Sequence, residues 1–276
     1  MISIITAIHN QISMNCIFLD FLKKYTTIPY ELIIIDNNSH DGSGDFFKTN
    51  GATVIRNNAN YSYPYCQNQG IKAASYDILV FFNNDLLVSP NWDVRLLNII
   101  GKDDYHVLSF SSNDRGCTLE ETKRREHQWK CIKNPLLFLF GQSRITLLVM
   151  FKLMYPNWEK YTQKIFDTYQ YQTAEGFSGS AIALNRVCLE KIGWWDESQQ
   201  SGDFDTYART LQRHLSLGDI QPLSIVGGIY VHHYGKLTIK AHHKPTPFAD
   251  RQNLSNMVSK WGCENFQIIN KRIEQQ

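Results

Sequence analysis

Short polar clusters in this 276-residue chain hold the side chains that could do chemistry, and each stands at the end of an apolar or amphipathic segment. In DILVFFNNDLLVSPNW (77–92), the apolar run Ile78 to Phe82 stops at Asn83, Asn84 and Asp85, and apolar residues then resume. An unpaired carboxylate at the mouth of a buried strand costs several kcal/mol. Asp85 is therefore either a surface turn residue or is compensated by a cation. His9 and Asn10, Asp36 and Asn37, Asp203 and Asp205 in GDFD (202–205), and His232 and His233 in VHHYG (231–235) occupy comparable positions. Each has a plain reading as well. A strand-end Asp caps or makes an Asx-turn, Asn-Asn-Asp is a common turn, Asp203 suits a helix N-cap, and a histidine pair can simply end a strand. Their order along the chain says more than any one of them.

The elements that must position these residues alternate. ISIITAI (2–8), YELIIID (30–36), ATVIRN (52–57) and YDILVFF (76–82) have the β-branched, apolar character of buried strands. Between them, 14–25 carries helical spacing and ends in Lys23 and Lys24 as a helix C-terminus prefers, 40–50 offers a turn and then a short helix start, and 63–75 suggests a helix. Such alternation predicts an α/β fold with a mostly parallel central sheet covered by helices. Ligands of such sheets bind at the carboxyl ends of the strands, which is where the polar clusters stand. From 114 to about 172 the pattern changes to charged and aromatic helical segments, an insertion between two halves of a core. A strand (SAIALN), a helix (RVCLEKIG), a helix beginning near Phe204, the strand IVGGIYVHH and a helical tail follow.

Bulk properties narrow the class. The chain is 43% hydrophobic and 20% charged with a net charge of +2, so no global field points to nucleic acid. KRREHQWK (123–130) is basic, and a solvated helix face accounts for it. The six cysteines lie in no metal-ligand spacing and fit reduced thiols in the cytoplasm. MISIITAIHNQ reads as a first strand, having neither a basic segment nor a cleavage site. PLLFLFGQSRITLLVMFKLMYP (135–156) is interrupted by Gln142, Arg144 and Lys152, too polar to span a bilayer. It suits a helix on a membrane surface, or one packed on this protein or on a second copy in a homodimer.

ISIITAIHN, ELIIIDNNSHDGS, NQGIKAASYDILVFFNNDLLVSPNW, FSGSAIALNRVCLEKIGWWDE, GDFDTYAR and YVHHYG, in that order, resemble the successive blocks of family 2 glycosyltransferases. Their nearest flavour is the rhamnosyl- and galactofuranosyltransferase-like branch of surface polysaccharide synthesis. The resemblance covers roughly 1–112 and 174–240. It implies a GT-A fold divided as a nucleotide-sugar-binding half (1–113), a helical insertion (114–173), an acceptor-side half (174–240) and a C-terminal helical tail (241–276). It also implies inverting transfer of a hexosyl or deoxyhexosyl group from a UDP-, dTDP- or GDP-linked sugar to a hydroxyl of a glycan or lipid-linked acceptor. The enzyme would be cytoplasmic, with peripheral contact at the inner membrane face as an option.

By that resemblance NND stands for the family's DxD, with Asp85 on Mn2+ or Mg2+ and Asn83 beside it in place of the first Asp. His232 is the better match for the histidine that completes the metal shell, and His233 the alternate. Asp203 matches the catalytic base, with Gly202 in place of the usual Glu and leaving more backbone freedom. Thr6, His9, Asp36, Asn68 and Asn84 match nucleotide-contacting positions. Trp194, Trp195 and Asp205 fall on the acceptor side, although core packing is the plainer role for at least one Trp. Two rivals remain. The departures Asn83 and Gly202 suit a catalytically attenuated GT-A-fold binding or assembly subunit. A nucleotidyltransferase would want a Gly-rich phosphate loop after the first strand, and TAIHNQIS has none.

Overall fold

The computed structural model describes residues 1–235, 237 and 246–274. The expected boundaries of the acceptor-side half and the tail run partly over 236, 238–245, 275 and 276, which lie outside the described residues.

The first half of the sheet is laid down in sequence order: β1 (Ile2–Ile8), α1 (Ile12–Tyr25), β2 (Tyr30–Asp36), α2 (Ser43–Thr49), β3 (Thr53–Arg56), α3 (Tyr63–Ala73) and β4 (Ile78–Phe82). β5 (Leu86–Val88), α4 (Trp92–Leu97) and β6 (Val107–Ser112) follow. Three helices come next: α5 (Leu119–Phe140), α6 (Arg144–Met154) and α7 (Trp158–Tyr169). The chain then returns to the sheet through β7 (Thr173–Glu175), β8 (Ala181–Asn185), α8 (Arg186–Ile192), α9 (Gly202–Leu217) and β9 (Ser224–His233), and ends in α10 (Met257–Trp261) and α11 (Cys263–Glu274).

The strand order is β3-β2-β1-β4-β8-β6-β9-β5, with β7 against β9. The pairs β3-β2, β2-β1 and β1-β4 are parallel, as the helix-separated apolar runs predict. Beyond β4 the sheet is mostly antiparallel: β8 runs against both β4 and β6, and β9 against β5 and β7, while β6-β9 alone is parallel. The short β5 and β7 escape the sequence reading because three residues carry too little periodicity.

Alternation along the strands fills two cores. Ile4, Ile34, Val80 and Phe82 face α1, α4 and the α5–α7 helices, whereas Ile5, Ile33, Leu79 and Phe81 face α3, α8, α9 and α11. Each such fully buried side chain contributes roughly 1.5–3 kcal/mol. The insertion helices are part of the first core: Phe151 stacks edge-on against Phe21 of α1 at 5.1 Å, and Trp129, Met150 and Trp158 are buried there. All six cysteines are free thiols.

Candidate active site

β4 delivers Asn83–Asp85 to the mouth of the sheet, and β5 takes the chain straight back into it. β5 pairs with β9 so that Leu86 lies opposite His233, and Tyr234 N–H donates to the Asp85 carbonyl at 2.9 Å. This pairing sets Nε2 of His233 3.0 Å from Oδ1 of Asp85. Nδ1 of the same ring lies 2.6 Å from Oδ2 of Asp114, which follows β6. Asn113 fixes the backbone: its side chain accepts from His233 N–H at 2.7 Å and donates to the His233 carbonyl at 2.9 Å. Burial disfavours the charged ring, but Asp85 and Asp114 outweigh it and hold His233 well above the ordinary imidazole value. Burial likewise opposes the charge on Asp114. The imidazolium and the Ser112 hydroxyl nevertheless bring its pKa down to about 2.

His232, the expected better ligand, is a correction. Consecutive strand residues point to opposite faces, so its ring turns away from the face where His233 meets Asp85. It is fully buried among Trp129, Phe151, Tyr155 and Tyr234, with ring centroids 4.4 to 5.5 Å away. Tyr155 is its hydrogen-bond partner at Nδ1, 3.1 Å away. Burial pushes it well below its usual pKa, so it is neutral.

Asp203 stands in the first turn of α9, where Oδ1 accepts from the Phe204 N–H at 2.9 Å. Burial raises its carboxyl above the ordinary value, against the pull of the helix N–H groups. One loop joins it to the Asn83 turn. A Cβ built on Gly179 would lie 2.2 Å from Oδ2 of Asp203, and the carbonyl of the next residue, Ser180, accepts from Asn83 N–H at 2.9 Å. Gly202 is a second correction. Its φ is not positive, and a Cβ there would meet the Trp195 ring at 2.8 Å. Close packing under Trp195, not backbone freedom, is what requires glycine.

Beside the Asn83 turn a cavity of about 390 Å³ opens at the ends of β1 and β2. It is lined by His9, Asn37, Tyr61, Tyr63, Asn84 and Phe248 among others. Asn84 is held by donating to Asn15 at 2.7 Å, and His9 Nδ1 lies 2.8 Å from the Asn37 carbonyl. Tyr63 links this cavity to Asp203, whose charge adds to the burial that raises the Tyr63 pKa. Among the described residues, a larger open recess of about 580 Å³ beside Pro247 and Arg251 is lined by neither a carboxylate nor a histidine.

Three expected nucleotide residues do not line the cavity. Ala7, Ile8, His9 and Asn37 line it, whereas Thr6 and Asp36 do not. Thr6 is fully buried. Asp36 accepts from Ser39 N–H at 2.9 Å and lies 3.8 Å from the Arg56 guanidinium. Asn68 instead ties α3 to the 195–197 loop. Its side chain donates to the Trp195 carbonyl and to Glu197, each at 2.9 Å, and accepts from Trp195 N–H at 3.2 Å.

On the expected acceptor side, Trp195 is core, edge-on to Phe81 and Tyr63, while Trp194 is 42% exposed. Asp205 is fully buried and ion-paired with Arg209 at 2.8 Å and Lys260 at 2.6 Å, which anchors α10 to α9. Sequence reasoning passed over Asp114, Tyr61 and Tyr63, and placed Asn37 at a strand end without giving it a role. Asp114 had a signal: YHVLSFSSND (105–114) ends an apolar run in Asn-Asp just as the 77–85 stretch does.

Among the described residues no group of three or more His, Cys, Asp or Glu side chains converges on one point. The donor set nevertheless fits a divalent cation. Asp85 offers oxygen and His233, on giving up its Nε2 proton to solvent, would offer nitrogen from a shared, shielded position, and ions bound through one or two carboxylates take their remaining ligands from substrate phosphates and water.

No curated protein matches the chain. Among solved structures it is similar to the mannosyltransferase PcManGT from Pyrobaculum calidifontis in complex with GDP-Man and Mn2+, at 12% identity and a TM-score of 0.52, over 82% of this chain and 56% of that one. It is also similar to GalNAc-T7 with UDP, GalNAc and Mn2+, at 15% identity and a TM-score of 0.54, over 84% of this chain and 43% of that one. The chain thus spans about half the length of these proteins, with which it shares the GT-A fold. The family model for glycosyl transferase family 2 matches residues 3–193. That match takes in β1 through α8, with the turn carrying Asp85 inside it, and the chain belongs to glycosyl transferase family 2.

Proposed function

We propose that this protein is an inverting glycosyltransferase that moves a hexosyl or deoxyhexosyl group from a nucleoside diphosphate to an acceptor hydroxyl. The observation that carries the reading is the convergence on one loop, with Gly179 against the Asp203 carboxylate and Ser180 bonded to the Asn83 turn that holds Asp85. The nucleotide would occupy the cavity walled by His9, Asn37, Tyr61 and Asn84, with aromatic faces available to a base. Asp85 and His233 would hold Mn2+ or Mg2+, which as a Lewis acid would neutralise charge on the departing diphosphate. Asp203 takes the proton from the acceptor hydroxyl as its oxygen bonds to the anomeric carbon. The bond from that carbon to the diphosphate breaks, and the configuration inverts.

The neighbours' ligands, GDP-Man with Mn2+ and UDP with GalNAc and Mn2+, support a nucleotide-sugar donor and a divalent ion. A glycan or lipid-linked acceptor in surface polysaccharide synthesis is the remaining part of the proposal. The test is a thermal-shift panel of UDP, GDP, dTDP and CDP with and without Mn2+, on wild type and Asp85→Ala. A metal-dependent rise for one nucleotide that is lost in Asp85→Ala supports the reading. No rise with any nucleotide would favour the attenuated binding subunit, and Asn83 and Gly202 would then be its marks.

A further inference from the structure

We propose that the tip of the α5–α6 hairpin and the outer face of α6 dock on a membrane surface rich in anionic lipid. The helices present an apolar ridge that is exposed among the described residues. Phe138, Leu139 and Phe140 at the end of α5 are 88%, 65% and 64% exposed, and Ile145, Val149 and Leu153 continue the ridge along α6 at 77%, 45% and 56%. On α6 the exposed apolar residues fall at helical spacing opposite an inner stripe of Leu147, Met150, Phe151 and Met154, which is buried. Soluble surfaces scatter such side chains singly, and a contiguous set marks an interaction site.

The charge around the ridge identifies the partner. From Lys123 to Lys160 the chain has eight basic and two acidic residues, a surplus of six, against a net charge of +2 for the whole chain. The remainder is therefore net acidic. No carboxylate occurs between Glu126 and Glu159. Arg125 and Lys133 are buried, Arg144 pairs with Asp20 at 2.6 Å and Lys130 with Glu126 at 2.7 Å, but Lys123, Arg124, Lys152 and Lys160 are exposed. A second copy would set this basic ridge against itself. An anionic lipid surface receives the apolar side chains together with Lys152 among them on α6, and attracts the basic surplus of the three helices. Among the described residues no helix is long and apolar enough to cross a membrane, so the contact is with the surface.

The hairpin is keyed to the strand end beside His233. Trp129 Nε1 donates to the Tyr234 carbonyl at 3.0 Å, Lys133 Nζ to the same carbonyl at 2.8 Å, and Gln142 to the Leu237 carbonyl at 2.9 Å. Docking would thus hold that end of β9 at a set height above the lipid. The inference does not depend on the catalytic reading.

The test is co-sedimentation of the full chain with vesicles of phosphatidylcholine alone or of phosphatidylcholine and phosphatidylglycerol in equal parts. Wild type should sediment with the mixed vesicles and remain in solution with phosphatidylcholine alone. The Phe138→Glu/Leu139→Glu/Ile145→Glu variant should lose about tenfold or more in partitioning, because burying one such side chain is itself worth about a factor of ten. Its melting temperature should match wild type. If it does not, the milder Ile145→Ser/Leu153→Ser variant decides, with weaker partitioning expected. Wild type remaining in solution with both vesicles, equal binding to both, or variants that bind like wild type would each overturn the proposal. So would a wild-type dimer in ultracentrifugation that the triple variant disperses without any vesicle binding, which would assign the ridge to a second copy. The nucleotide shift read on the same variants should be unchanged, so the two readings fail separately.

Discussion

His233 lies between two carboxylates, with Nε2 3.0 Å from Asp85 and Nδ1 2.6 Å from Asp114, while the adjacent His232 is enclosed in aromatic rings on the other face of β9. In this arrangement the charge that balances Asp85 is an imidazolium, placed where a divalent cation would share the same two side chains.

The two histidines should therefore separate in a substitution experiment. His233→Ala should abolish the Mn2+-dependent part of nucleotide stabilisation, which is about 2.7 kcal/mol at a hundredfold excess over Kd. His232→Ala should keep the Mn2+ response and lose about 2–4 kcal/mol of stability, the cost of emptying a packed site. Denaturant melts with and without nucleotide and Mn2+ read both quantities. Loss of the Mn2+ response in a stable His232→Ala protein would reverse the assignment.

Asp203→Asn should lower turnover by roughly 10²–10⁴, the worth of a positioned base. Burial raises this carboxyl above 3.8, so it remains protonated to a higher pH than a free Asp. The acid limb of kcat/KM should accordingly lie above 3.8, with activity rising as pH increases through it, and should be missing from Asp203→Asn. The stability linkage has the opposite sign. The folded chain binds this proton more tightly than the unfolded chain, so the contribution is full at low pH and disappears as pH rises through the raised value.

Gly202→Glu restores the residue usual in the family and should damage the protein. The new Cβ would meet the Trp195 ring at 2.8 Å, and overpacking of this kind costs about 1–3 kcal/mol. Thermal melts should show the loss, with no gain in turnover. A stable and faster Gly202→Glu enzyme would show that glycine is there for another reason.

Asn68→Ala should destabilise by about 1–3 kcal/mol by leaving the Trp195 N–H and carbonyl unpaired. Nucleotide affinity should be retained, because the side chain does not line the cavity. Titration of the variant with the nucleotide found in the shift panel checks this, and a tenfold loss of affinity at normal stability would return Asn68 to the nucleotide site.

The first four strands were legible because helices separate them and because β1, β2 and β4 bury apolar runs on both faces, while the edge strand β3 has β-branched residues. The positions of the polar clusters at strand ends were legible for the same reason. The direction of the side chains there was not. Thr6 and Asp36 differ from Ala7 and Asn37 by one residue, and only Ala7 and Asn37 line the cavity. The same one-residue difference exchanges His232 for His233. Asp114 carried the strand-end signal, but its place beside His233 was not legible, because β6 joins its sheet only through β8 and β9, pairings formed by residues about 70 to 120 positions later.

The antiparallel pairing of β5 with β9 also sets an order of assembly. Strands β1 to β4 can pair as soon as the first third of the chain has emerged, since β3-β2, β2-β1 and β1-β4 all join strands within residues 2–82. Asp85 belongs to that early portion, whereas His233 follows about 150 positions later, which at 5–20 residues per second is roughly 10–30 s of translation. Through that interval the carboxylate is held open to water with no cation beside it. The site is the last part of the sheet to close, and the strand that closes it brings the histidine with it.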